Sequence, residues 1–270
     1  MNIGPVIFSR DNERFKSLKK LATSARARRK SGQALIEGLN VVTAYREVYG
    51  APHTLVISEF ALAAPPLQHL FHASPPGGRM ALSDALFREV SLLKTPDGVG
   101  AIISLPVRPE PARVEYGVLL EDIQDPGNLG AILRSAAAAG VEIAYLSAHC
   151  ADVWSPKVLR AGMGAHFRLT LRERADLHQV AGGFHGQLLA ASLSAEHSLF
   201  DRDLCGPVAF IVGNEGAGIS PALLALAAAV RIPMPGGMES LNAAAAAAVC
   251  LFERVRQRAA ASRRLSSPAA

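Results

Sequence analysis

The amino-acid sequence predicts an α/β protein in two parts: a small basic N-terminal α/β domain and a larger C-terminal domain built on a parallel sheet. Three observations predict it. Beyond residue 115, strand-like apolar runs alternate with helical ones, the pattern of a parallel sheet covered by helices on both faces. Ahead of that region the run PVRPEPARVE (Pro106–Glu115) holds three prolines and four charges and reads as an extended linker. Ahead of the linker, cations crowd between apolar residues at helical spacing. The expected divisions are 1–107, a linker at 108–115, a second domain at 116–258, and an Ala/Ser/Arg-rich tail at 259–270 that should fray.

Composition sets the class. A chain of 270 residues, half of them hydrophobic, has ample core for two domains, and much of that half is Ala, which favours close helix packing over a bulky aromatic core. The formal charge of +5 permits an anionic partner without naming one. Cys150, Cys205 and Cys250 are odd in number and form no CxxC pair, which argues against a disulfide framework or zinc knuckle and for a reducing compartment. The start MNIGPVIFSRDNERF lacks a signal-peptide core. The longest apolar run, Ala243–Phe252, is about half of what spans a bilayer. A soluble cytoplasmic protein, off the membrane, is expected.

In chain order, Phe15, Leu18, Leu21, Leu35, Ile36, Leu39 and Val42 predict two helices between Arg10 and Tyr49, each with one buried face. Lys16, Lys19, Lys20, Arg26, Arg28, Arg29 and Lys30 lie between them with almost no acids. A solvated helix face is the ordinary explanation of such a run; its density points instead to phosphate contact. Strands at Thr54–Ile57 and Gly100–Leu105 and a helix at Ser83–Leu93 complete this part. His69 and His72 are three apart, but without a Cys or acid beside them they read as a surface helix, and no metal is expected.

After the linker, strands are expected at Tyr116–Ile123, Glu142–Leu146, Phe167–Leu171, Leu188–Ser192, Val208–Gly213 and Val230–Met234. Helices are expected at Asn128–Ala139, Ser155–Gly162, Arg172–Ala181, Ser220–Ala228 and Leu241–Arg258. Ser155-Pro156 and Ser220-Pro221 are cap-then-Pro helix starts that support this phasing.

Three junctions carry chemistry. In DPGNLGAILR (Asp125–Arg134), Asn128 is placed to cap the helix, and an Arg inside an Ala-rich helix needs an anion or a solvent mouth. A capped helix with a surface Arg fits this stretch equally well. Neither GxGxxG nor a P-loop is present. In FIVGNEGAG (Phe210–Gly218) a strand ends in a Gly-rich turn around Glu215, at the edge where open α/β sheets take ligands; Glu215 folding back on turn amides is the plainer alternative. In IPMPGGMESLN (Ile232–Asn242) an apolar strand meets a Pro-Gly-Gly turn, and Ser240 and Asn242 sit at a helix mouth whose free N–H groups attract a ligand. Ile232, Met234, Gly237 and Leu241 make this segment the expected cofactor site.

Taken in order, NLGAILRSAAAAG, IVGNEGAG and IPMPGGMESLN resemble the three motifs of the SpoU-type (TrmH-like) RNA 2′-O-ribose methyltransferases of the SPOUT superfamily, over about Val118–Arg258. SPKVLRAGMGAHF (Ser155–Phe167) is similar to the family's intermediate segment. SRDNERFKSLKKL and LIEGLNVV look like the ribosomal-protein-like substrate-binding domain of rRNA-modifying members. The resemblance implies S-adenosylmethionine as methyl donor, a deep trefoil knot in the sheet, and a homodimer whose sites draw on both subunits. It implies that Gly213, Ile232 and Leu241 hold the cofactor and that Asn128, Arg134, Glu215, Ser240 and Asn242 are the remaining functional residues. One departure is Ala243-Ala244, where the family often has Val-Ser after the SLN triplet.

The implied reaction must align a ribose 2′-hydroxyl with the sulfonium methyl and remove its proton. No His or Lys lies in the three motifs. An Arg base is hard to reconcile with a guanidinium that keeps its charge, so clamping the target phosphate is the easier role for Arg134. The donor carries its own leaving group and no metal is required. The expected substrate is 23S-type rRNA, because a separate N-terminal domain is present. A tRNA 2′-O-methyltransferase and a non-catalytic RNA-binding protein are the competing readings, and a dehydrogenase lacks its Gly fingerprint.

Overall fold

The computed structural model describes residues 6–193 and 195–266, and the chain divides into two compact units. The first comprises Met1–Val107 together with Trp154–Phe167. Its helices are α1 (Glu13–Thr23), α2 (Ala25–Ser31), α3 (Leu39–Tyr49), α4 (Glu59–Leu62), α5 (Pro65–Ala73) and α6 (Asp84–Val90). Strands β1 (Gln33–Glu37), β2 (Thr54–Ser58), β3 (Arg79–Leu82) and β4 (Val99–Ser104) form a sheet in the order β1-β4-β2-β3, with only β2 and β3 parallel.

Asn12 starts α1 by accepting the N–H groups of Arg14 and Phe15, and the helix lays Phe15, Leu18 and Leu21 onto Leu35, Val56, Leu82 and Phe87. Leu35 and Ile36 were expected in a second helix and lie in β1. Gly32, at φ +63°, ends α2 in the left-handed region, and the buried run Ala34-Leu35-Ile36 then suits a strand. His69 and His72 both lie on α5.

The basic cluster is not one uniform face. Arg28 is only 4% exposed, and its Nη1 donates to the carbonyls of Leu21 (2.5 Å) and Ala22 (3.4 Å), closing the end of α1. That removes it from the phosphate-binding set. Lys16 pairs with Glu13, and Lys19 pairs with Glu89 on α6, each at 3.0 Å. Lys20, Arg26, Arg29 and Lys30 remain exposed.

Trp154–Phe167 falls inside the expected second domain in sequence and clusters with the first unit in space. It contains α8 (Pro156–Gly162), capped by Ser155. Gly164, at φ +89°, then passes Ala44 so closely that a Cβ would stand 2.9 Å from its methyl, and Phe167 meets Tyr45 edge-on at 5.3 Å.

The second unit comprises Arg108–Val153 and Arg168–Ala270. Its strands are β5 (Tyr116–Leu120), β6 (Ile143–Leu146), β7 (Thr170–Arg172), β8 (Gln187–Ala191), β9 (Val208–Val212) and β10 (Ala228–Val230). All are parallel, in the order β10-β8-β9-β5-β6-β7. The helices are α7 (Pro126–Ala138), α9 (Leu177–Gly183), α10 (Pro221–Leu224) and α11 (Ala243–Ser266). The N-terminal residues of this unit extend without helix or strand, held where Arg172 donates to Glu110 (3.2 Å) and to the Arg108 carbonyl (3.0 Å).

Several boundaries differ from expectation: the strand expected at Phe167–Leu171 starts at Thr170, and the helix expected at Arg172–Ala181 starts at Leu177, with Arg172 in β7. The helix expected at Ser220–Ala228 stops at Leu224, and Ala228 opens β10 instead. The strand expected to reach Met234 ends at Val230, because Pro233 and Pro235 cannot donate to a ladder; Ile232 and Met234 therefore belong to a loop. Helix α11 continues past Arg258 to Ser266, as its Ala- and Arg-rich composition favours, into the segment where a frayed tail is expected; residues 267–270 lie outside the described residues. Among the described residues no helix is long and apolar enough to cross a membrane.

Because Arg28 closes a helix end from a buried position, Arg28→Ala should cost about 1–3 kcal/mol in urea unfolding, whereas Lys20→Ala should stay within about 0.5 kcal/mol. Equal effects would return Arg28 to the surface cluster.

Candidate active site

The site grows from the loop after β9. Gly213 lies against the returning strand of that loop, where a Cβ would stand 2.4 Å from the Gly218 carbonyl carbon, so no other residue fits. Asn214 and Gly218 exchange two backbone hydrogen bonds of 2.9 Å. The Asn214 side chain accepts the N–H groups of Gly216 and Ala217 and donates to the Asp122 carbonyl at 2.8 Å. One carboxamide thus shapes the loop and ties it to the end of β5. Asp122 holds a positive φ of 53°, and its N–H donates to the Ser147 hydroxyl.

Glu215 reaches from this loop to the start of α7. It accepts the N–H groups of Gln124 (3.2 Å) and Asp125 (3.1 Å) and the Asn128 amide (3.1 Å). The cap of α7 is Asp125, which accepts the Asn128 N–H at 2.7 Å, and not Asn128 as expected. Asp125-Pro126 has the same cap-then-Pro form as Ser155-Pro156, so the signal was in the sequence. Freed from capping, Asn128 accepts a hydrogen bond of 2.8 Å from the Asn242 amide. Asn242 in turn caps α11 by accepting the N–H groups of Ala244 and Ala245. Asn242, Asn128 and Glu215 form one hydrogen-bonded chain across three motifs. Burial works to raise the Glu215 carboxyl, but bonds from the Asn128 side chain and from backbone N–H groups, those of Asp125 and Gln124 among them, outweigh it and hold the group below the ordinary carboxylate value.

A cavity of about 280 Å³ opens beside this chain. Gly213, Glu215, Ile232, Met234, Ser240 and Leu241, all expected site residues, line it together with Leu193, Asn214, Ile219 and Val230. Ile232, Ser240 and Leu241 make no hydrogen bond among the described residues, so their backbone groups are free for a ligand. Gly237, at φ +72°, closes a turn by donating to the Met234 carbonyl and does not line the cavity. Arg134 is exposed on α7, without an ion pair or hydrogen bond among the described residues, and lies outside both the chain and the cavity. Asn214 and Asp125 are the site residues missed in the sequence; an Asn at a strand-to-Gly-turn junction was the available signal for the first.

The depressed Glu215 carboxyl fixes a pH dependence. Its stabilisation is complete above the unfolded value of 4.5 and is lost as pH falls through the lower folded value. Glu215→Gln should therefore be less stable by about 1 kcal/mol at neutral pH, discounted for exposure, with the gap closing only in acid below that range. A gap independent of pH down to acid would remove the charge from the argument.

Comparison with known proteins finds relatives over most of the chain. The profile of the SpoU rRNA Methylase family matches residues 115–252, and that of the MRM3-like substrate binding domain matches residues 12–101. A Synechocystis protein described as an uncharacterized tRNA/rRNA methyltransferase is 35% identical, over 95% of both chains. A 23S rRNA (guanosine(2553)-2′-O)-methyltransferase of Bacillus subtilis is 30% identical, over 91% of this chain and 97% of its own. The SpoU methyltransferase AviRb of Streptomyces viridochromogenes, solved with AdoMet, superposes with a TM-score of 0.79 at 30% identity, over 92% of this chain and 100% of its own. The chain belongs to the SpoU rRNA methylase family.

Proposed function

We propose that the protein transfers a methyl group from S-adenosylmethionine to a ribose 2′-hydroxyl of 23S-type rRNA in the cytoplasm. The observation that carries this is the cavity that two of the three motifs line, with Glu215 joining it to the third through Asn128 and Asn242. The cavity suits the donor. Its apolar walls accept a flat base, the unpaired backbone groups of Ile232 and Leu241 can meet the base edge, and Glu215 supplies negative charge for a cationic ligand. Gly213, Ile232, Met234 and Leu241 would hold the cofactor, while Gly237 shapes the turn before them. When bound, the cofactor supplies a sulfonium methyl with its own leaving group, so this chemistry calls for no metal.

The chain's own residues position the reaction. Asn128, Glu215 and Asn242 fix the starts of α7 and α11 and the wall of the cavity. Ser240, exposed and unpaired, offers a hydroxyl to the substrate or the cofactor. Arg134 clamps the phosphate of the target nucleotide, and that phosphate can assist in taking the 2′-hydroxyl proton. Its exposed, unpaired guanidinium fits a homodimer in which Arg134 meets a neighbouring subunit's site. The exposed Phe252 on α11 supports that interface. The reading also carries a trefoil knot through the sheet. The second relative and the match to a substrate-binding domain favour rRNA over tRNA.

Tritiated methyl transfer onto total RNA from a strain lacking the gene should label 23S rRNA and leave one linkage resistant to alkali. Label in tRNA would change the substrate, and no label with cofactor bound would favour a binding protein or an assembled particle as substrate. Arg134→Ala should lower turnover by roughly a hundredfold or more while calorimetry finds S-adenosylmethionine affinity within about threefold of wild type. Gly213→Ala should instead abolish the calorimetric heat. Parallel loss of binding and turnover in Arg134→Ala would make that residue structural.

A further inference from the structure

The first unit has a second cationic site, separate from the helices that carry Lys16–Lys30. A cleft of about 530 Å³ opens at the end of β2, the start of α6 and the segment leading into β4. Phe60 lines it with 74% of its surface exposed. A Phe ring so exposed adds almost nothing to the core. Its main chain is nonetheless held, because its backbone N–H donates to Asp84 Oδ1 at 3.0 Å. Arg88 and Lys94 line the same cleft, both exposed and neither in an ion pair or hydrogen bond among the described residues. Neighbouring acids are occupied: Asp84 by Phe60, and Asp97 by the N–H groups of Leu39 (2.8 Å) and Val99 (3.1 Å). Lys16 and Lys19, by contrast, are paired with carboxylates, and Arg28 is buried.

We propose that this cleft holds a single-stranded segment of the RNA substrate, with one base stacked on Phe60 and its flanking phosphates on Arg88 and Lys94. The inference rests on the RNA-modifying function above and names where the first unit grips its substrate. An open aromatic face beside two unpaired cations matches the two features every unpaired nucleotide offers, a π-face and a phosphate. An RNA duplex hides its base faces, and an acidic peptide needs no ring. Thr95 on the cleft wall adds a hydroxyl that can pair with a base edge.

The test uses the full chain and a fluorescein-labelled 12-nucleotide oligouridine, followed by anisotropy across a salt series. Phe60→Ala should weaken binding by roughly tenfold, within the range of one lost base stack, and Phe60→Trp should restore it. Arg88→Ser with Lys94→Ser should lower the log–log salt slope by about 1.4, the loss expected for two phosphate contacts on a single strand. All variants should raise KM for 23S rRNA in methyl transfer and leave S-adenosylmethionine affinity unchanged. Wild-type affinity and slope in every variant, with methyl transfer intact, would overturn the cleft and leave the function standing. Equal competition by duplex RNA or by oligoglutamate would overturn the single-strand assignment. A wild-type chain that neither binds nor methylates RNA would overturn the functional reading and the cleft with it.

Discussion

Helices α7 and α11 start from one shared hydrogen-bonded chain, and the cavity takes its shape from that chain. A carboxamide has one accepting and one donating end, and each of the two asparagines uses both. Asn242 accepts from the first turn of α11 and donates to Asn128, which accepts there and donates to Glu215. The direction runs from helix amides to a carboxylate, so the negative charge finishes where the N–H groups of Gln124 and Asp125 wait for it. Aspartate at position 128 would set carboxylate against carboxylate, and a hydrophobic residue would remove the acceptor of the Asn242 amide and one of the donors to Glu215. The chain therefore demands these residue types together.

Much of this was legible in the sequence because it is local. Period and punctuation placed the parallel sheet and the Ser155 and Ser220 caps. The errors lie where local signals competed or where partners came from far along the chain. Leu35 and Ile36 are apolar in either a helix or a strand, and Gly32 decided between them. Ile232 and Met234 continue an apolar run past the point where two prolines end the ladder. Asn128 was read as a cap because its real partners, Glu215 and Asn242, are 87 and 114 residues away. Arg28 looked like its cationic neighbours, and only burial separates it from them.

The same helix that opens at Asn242 is anchored further along by Tyr116. That phenol, at the start of β5, donates to the Leu251 carbonyl at 2.8 Å, while the Arg254 guanidinium lies 4.0 Å over its ring and its Nη2 donates to the carbonyls of Glu115 and Gly206. Beside this anchor the Cys250 thiol is buried, which pushes it up to about 12. Burial pushes Cys150 up as well.

The distribution of cations between the two units follows one electrostatic rule. A charge that holds the fold is already paired or buried, as Lys19 is with Glu89, Arg28 with two carbonyls, and Arg254 with an aromatic ring. Arg134, Arg88 and Lys94 stand exposed and unpaired among the described residues. Leaving a cation unpaired at the surface costs the fold little, since water solvates it, and keeps its full attraction for an incoming phosphate. A pairing carboxylate would have to be displaced first, and its repulsion would oppose the polyanion. The cations that bear on RNA are therefore identified by the absence of an ion pair among the described residues, which a count of Lys and Arg along the sequence does not reveal.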